Sequence, residues 1–212
     1  FTGNTWLRIP LDQLPYLQTG TRTRTPNGVN AVVGIYDLSQ YNPAWFARLT
    51  QRAEIARQKN MSVSFMLFSG GHLQYHAHNG FAHPYDSGNN INGIAADTNA
   101  DGHVEEVHTL ANAAVTAFQD GYVCEVVRAL KNHDNVILEL TNEDLFNSSP
   151  WQTHIASRIR VCEALHGSVR HLIWQSPFWF AVGQFPDNSH LYNNGLVDLV
   201  APACLGGDDY ES

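Results

Sequence analysis

The chain has 212 residues, of which 43% are hydrophobic and 11% aromatic, so it can bury a substantial core and does not have the composition of a disordered segment. Twelve Lys and Arg against 20 Asp and Glu leave a formal net charge of −8, so nothing favours nucleic acid or an anionic membrane surface, and neither is expected as a partner. No apolar run reaches the roughly 20 residues that span a bilayer, and a surface rich in Asn, Gln, Ser, Thr and His suits neutral polar ligands.

Asn4–Pro10 reads as a strand ended by its proline. Residues 11–41, with Pro15, Gly20, Pro26 and Gly28, read as a long connection whose Thr/Arg-rich middle, Thr19 to Thr25, is an exposed loop. Asn42-Pro43 opens a helix, with Asn as cap and Pro in the first turn. Trp45, Phe46, Leu49, Ala53 and Ala56 keep helical spacing, and the pattern runs to about Asn60. Ser62–Phe68 is the next strand and leads directly into Ser69-Gly70-Gly71-His72.

Residues 69–111 form an insertion far longer than the typical βα loop of about 2–6 residues, and long loops of this kind carry function. A second helix starts at Asn112, with Val115, Phe118, Tyr122, Val126 and Leu130 on one face, and ends near His133. Val136-Ile-Leu-Glu-Leu-Thr-Asn-Glu143 is a short apolar strand that stops at Asn142-Glu143-Asp144. Ser149-Pro150 caps a third helix, with Trp151, Ile155, Ile159 and Cys162 as its buried stripe and Gly167 as its stop. Val169–Trp174 and Leu196–Ala201 are further strands, separated by a loop holding Phe178, Trp179 and Phe180. Cys124, Cys162 and Cys204 lie far apart in the chain and read as buried free thiols.

Strands alternating with helices predict parallel βαβ units in an α/β fold. Five strands are fewer than the eight of a closed barrel, so the expectation is a single domain over 1–212, an incomplete parallel (β/α) barrel of the TIM type with an insertion at 69–111. Glu143, at the carboxyl end of a buried strand, stands where such barrels keep their chemistry; the competing reading is a solvated acid capping the next helix.

Asp97, Asn99, Asp101 and Gly102 match the first half of a calcium loop of the D-x-[DN]-x-[DN]-G type. His103 would add a backbone carbonyl, and Glu105 or Glu106 a carboxylate. Position twelve is His108 where a Glu is usual, so an Asx-rich turn stays open beside structural calcium. His72, His76, His78 and His83 have spacings that zinc could use, but at a sugar site His72 is read as a hydrogen-bonding contact. Trp179, beyond a strand end, is the aromatic assigned to stack on a sugar face. No G-x-S-x-G elbow is present, which removes a serine hydrolase of that type.

Two stretches resemble glycoside hydrolases of the TIM-barrel clan that acts on β-linked polysaccharides, nearest to cellulase-like, family-5-type members. Asn4-Thr-Trp-Leu-Arg-Ile-Pro10 resembles their second strand, which implies that Arg8 reaches the active site. Leu138-Glu-Leu-Thr-Asn-Glu143 resembles their fourth, which implies that Asn142 holds a sugar hydroxyl and Glu143 is the acid/base. Leu14–Gly20, Met66–Phe68, His83–Tyr85, Asn89–Gly93 and Val107–Leu110 resemble members of the same group. On this numbering Leu196–Ala201 is strand six, and the nucleophile that the family keeps on strand seven is not present in this chain.

The resemblance implies a retaining endo-β-glucanase or mannanase-like enzyme, with a β-glycan as substrate and no cofactor needed for catalysis. It also implies secretion or a periplasmic location. The alternative is a non-catalytic glycan-binding or self-assembling protein, with the open sheet edges of a truncated barrel as its points of association.

Overall fold

The computed structural model describes residues 14–25, 30–70, 73, 82–142, 144, 148–175 and 195–200. The expected strand Asn4–Pro10 lies outside them.

The first described elements correct the loop expected through Thr19–Thr25. Strand β1 (Tyr16–Arg24) pairs antiparallel with β2 (Ala31–Tyr41), in a register that sets Thr21 against Gly34 and Arg22 against Val33. The physical reason is visible in the alternation. Along β1 more buried and more exposed residues follow one another with period two, as a half-buried strand requires. The β-branched threonines suit that pleated surface, whereas the charges and glycine had suggested a turn. On β2, Val33, Tyr36 and Leu38 are buried.

Helix α1 (Pro43–Gln58) follows, capped as expected: Asn42 Oδ1 accepts from the backbone N–H of Ala44 at 3.1 Å and of Trp45 at 3.3 Å. Trp45, Phe46, Leu49 and Ala53 face the core. Strand β3 (Val63–Met66) leads through the long segment to a 3₁₀ turn (Glu105–His108) and helix α2 (Ala113–Leu130), whose cap Asn112 makes the same pair of bonds, to Ala114 and Val115. Strand β4 (Val136–Glu139), helix α3 (Ser149–His166), strand β5 (Leu172–Gln175) and the two-residue β6 (Leu199–Val200) complete the order. Gly167 ends α3 in the left-handed conformation, φ 58°, as its position predicted. The start of α3 differs from expectation. Ser148 is the cap residue, and its side chain makes no capping bond.

The four later strands form one parallel sheet in the order β3-β4-β5-β6, with Phe65 beside Leu138, Leu138 beside Ile173 and Trp174 beside Leu199. This overturns the barrel. The described residues hold an antiparallel pair, an open four-stranded sheet and three α-helices, which is not a TIM barrel of six or more βα units. The chain before α1 forms a hairpin within residues 11–41, where a long connection was expected, and no described helix separates β5 from β6.

Leu138, Leu140, Ile173, Trp151, Ile155 and Ile159 are fully buried between the sheet and the helices. A second correction concerns the cysteines. Cys124 of α2 and Cys162 of α3 are joined in a disulfide, with Cα atoms 5.1 Å apart, and are not free thiols. Cys204 lies outside the described residues. Among the described residues no helix is long and apolar enough to cross a membrane.

Candidate functional site at the carboxyl edge of the parallel sheet

Open α/β sheets bind ligands outside the carboxyl ends of their strands. Here that edge is formed by Leu67–Gly70 after β3, Leu140–Asn142 after β4 and Gln175 at the end of β5. The ladder continues past the strands: Leu67 N–H donates to Glu139 O at 2.8 Å, Phe68 N–H to Leu140 O at 3.2 Å, and Leu140 N–H to Trp174 O at 2.9 Å. Beyond it, side chains tie the two ends. Gly70 N–H donates to Thr141 Oγ1 at 3.0 Å, and Ser69 Oγ donates to Asn142 Oδ1 at 3.4 Å. The approach at Gly70 is close: a Cβ there would stand 2.5 Å from Asp144 Cα and 2.6 Å from Asn142 O.

A buried polar network lies directly behind this edge. His108 Nδ1 and Asp144 Oδ1 are 2.7 Å apart, and the two residues are 2% and 1% exposed. Gln152 Nε2 donates both to Asp144 Oδ2 at 3.2 Å and to Ser148 Oγ at 2.9 Å. The His108 ring stacks on Trp151, centroids 4.1 Å apart and planes 11° from parallel, and Phe68 meets it edge-on. The Trp151 indole N–H donates to Gln119 Oε1 at 2.9 Å, and Gln119 Nε2 donates to Val107 O at 2.7 Å. These bonds fasten the 3₁₀ turn, α2, α3 and the β4–α3 connection together. A buried polar group left without a partner costs about 1–3 kcal/mol, so the network holds its members in one arrangement.

Of the residues singled out by sequence, Asn142 stands at this edge, half-buried. Glu143, Arg8, His72 and Trp179 lie outside the described residues, as do His76 and His78. His83 is described, and its Nδ1 accepts from the backbone N–H of Tyr85. Asn89, Asn90 and Asn92 bind backbone groups or the neighbouring strand: Asn90 Nδ2 donates to Pro84 O and Ile94 O, and Asn92 Oδ1 accepts from Leu38 N–H. They shape the long segment and hold it to β2.

Asp97, Asn99, Asp101 and His103 form a compact exposed turn. Asp97 Oδ2 accepts from Gly102 N–H, Asn99 Oδ1 from Asp101 N–H, and Asp101 Oδ1 from His103 N–H, each at 2.9 Å. Glu106 Oε1 caps the turn from below through the N–H groups of Thr98 and Asn99. The His103 N–H is the main cause of a lowered Asp101 carboxyl, whereas burial, with Asp101 and Glu106 nearby, raises that of Glu105. Asp97 Oδ1, Glu105 Oε2 and Glu106 Oε2 are shielded and accept no hydrogen bond. Among the described residues no group of three or more His, Cys, Asp or Glu is arranged to hold a metal ion. His108, the twelfth loop position, turns inward to Asp144.

Sequence reasoning passed over Asp144, Gln119 and Gln152. The available signal was a polar residue inside each apolar stripe: Gln119 lies between Val115 and Tyr122, and Gln152 beside Trp151. No family model, curated protein or solved structure matches the chain.

Proposed function

We propose that the protein is a glycoside hydrolase acting on β-linked oligosaccharide or polysaccharide by a retaining mechanism, with Glu143 as acid/base and Asn142 as a contact to the sugar. The observation that carries the reading is Asn142 at the carboxyl edge of a parallel sheet, tied to Ser69, with the next described residue, Asp144, anchored by His108 and Gln152. Glu143 stands in sequence between these two fixed residues. In such a reaction it protonates the leaving glycosidic oxygen and then takes a proton from the attacking water. The nucleophile, a second carboxylate about 5–5.5 Å from the first, is not assigned to any residue of this chain. Arg8, His72 and Trp179 are carried as substrate contacts by the resemblance alone. The Cys124–Cys162 bond supports a secreted or periplasmic setting, since cytosolic thiols are kept reduced.

The test is turnover of β-1,4-linked glucan, mannan and xylan oligosaccharides by the protein and its Glu143→Gln variant. Loss of the acid/base lowers the rate about 10²–10⁴-fold. Turnover that survives Glu143→Gln overturns the assignment. Glycan binding with no turnover by the unaltered protein points to the non-catalytic alternative.

For the turn at Asp97–Gly102 we propose structural calcium, supported by its one-three-five spacing and by the unpartnered oxygens of Asp97, Glu105 and Glu106. These carboxylates do not converge as folded, so binding would draw them together. A melting temperature that does not respond to calcium or chelator leaves the turn held by its Asx bonds alone.

A further inference from the structure

We propose that His108 and Asp144 are positioning residues for the reaction, a buried pair that fixes the backbone one peptide bond beyond the acid/base. The inference rests on the reading of Glu143 given above.

Three features of the pair point away from a stabilising role and toward a geometric one. The first is energetic. Moving a carboxylate and an imidazole to 1% and 2% exposure carries a desolvation penalty that the mutual bond does little more than offset. A pair of apolar side chains of similar volume would hold the core at least as well.

The second is the completeness of the restraint. Asp144 uses both carboxylate oxygens, Oδ1 to His108 on the 3₁₀ turn and Oδ2 to Gln152 on α3. Its backbone lies against Gly70 at the end of β3, with no room for a methyl group between them. His108 is itself fixed between the face of Trp151 and the edge of Phe68. Asp144 is therefore held from β3, α3 and the turn before α2 at once.

The third is location. The restrained residue directly follows the proposed acid/base, at the sheet edge where ligands gather. Proton transfer to a leaving oxygen requires hydrogen-bond reach, and a displacement of about 1 Å costs on the order of 10²-fold in rate.

The experiment compares Asp144→Ala, Asp144→Asn, the double variant His108→Leu/Asp144→Leu and Glu143→Gln, by steady-state kinetics on a β-linked oligosaccharide and by thermal melting. Asp144→Asn keeps the shape and an acceptor for His108. The Gln152 amide can rotate to present Oε1, which has no partner, to the new amide. Asp144→Ala is expected to lower kcat on the order of 100-fold with KM little changed, and Asp144→Asn to recover most of that loss. The double variant is expected to melt near the unaltered protein yet keep the low kcat of Asp144→Ala. A folded double variant with full kcat overturns the proposal, and so does Asp144→Ala with full kcat. If Glu143→Gln alone leaves turnover intact, the hydrolase reading has failed. If Glu143→Gln abolishes turnover while the double variant retains it, only the positioning role has failed.

Discussion

The amino termini of α2 and α3 solve the same problem in opposite ways. Each first turn has N–H groups with no partner inside the helix. At α2, Asn112 answers locally, its Oδ1 accepting from Ala114 and Val115. At α3, the Ser148 side chain makes no capping bond to the backbone of the first turn, and its hydroxyl accepts from Gln152, which also reaches Asp144. Pro150, with no N–H, reduces what the first turn must satisfy. The difference shows that a helix can give up its local cap to a tertiary network, as α3 does, or keep it while still contributing a side chain to that network, as α2 does through Gln119.

The largest test of this contrast removes what the two helices share. Reducing the Cys124–Cys162 bond, which closes a separation of 38 residues, is expected to cost about 4 kcal/mol on loop entropy. Denaturant midpoints with and without reductant measure it, and both amino termini should lose amide protection together. Protection lost at α3 alone would mean that the network depends on the disulfide.

The caps themselves come next. Asn112→Ala should cost about 1 kcal/mol, like any lost N-cap. Its effect should add to that of Gln152→Ala, while Ser148→Ala and Gln152→Ala should couple by about 0.5–3 kcal/mol in a double-mutant cycle. Additivity at Ser148 would return it to the role of an ordinary cap.

The smallest effect belongs to the other end of α3. Burial would raise the Glu163 carboxyl, but the His171 ring and backbone N–H, with Arg160, outweigh it and hold the carboxyl below its ordinary value. A group depressed in the folded state stabilises above its unfolded pKa, about 4.3 for Glu, and that contribution fades as pH falls toward the folded value. The stability advantage over Glu163→Gln should therefore be full at neutral pH and shrink only below about pH 4. Acid titration of both proteins by circular dichroism checks this.

Much of the secondary structure was legible because its signals are local. Asn42-Pro43 and Asn112 announce helix starts, Gly167 a stop, and the apolar run at Val136 a strand buried in a parallel sheet. What was missed depends on partners distant in the chain. The Thr/Arg alternation of Tyr16–Arg24 becomes a strand only opposite Ala31–Tyr41. Cys124 and Cys162 meet only because α2 packs on α3. The barrel rested on strand–helix alternation and on the resemblance; alternation predicts parallel pairing, which β3 to β6 keep, but it does not reveal an antiparallel hairpin hidden in the connection before α1. Asn142 was singled out by the resemblance of its strand end to the family's Asn-Glu pair, whereas His108 and Asp144, 36 residues apart, carried no common pattern.

Gly70 is not among the glycines with positive φ, so its backbone would accept any side chain. What forbids one is the clearance to the neighbouring strand end. The gap between the segments that follow β3 and β4 is thus gauged by a single absent carbon. A methyl group at Gly70 would press directly on Asn142 O and the Asp144 backbone, so a Gly70→Ala protein could keep its local turn only by parting the segments that follow β3 and β4.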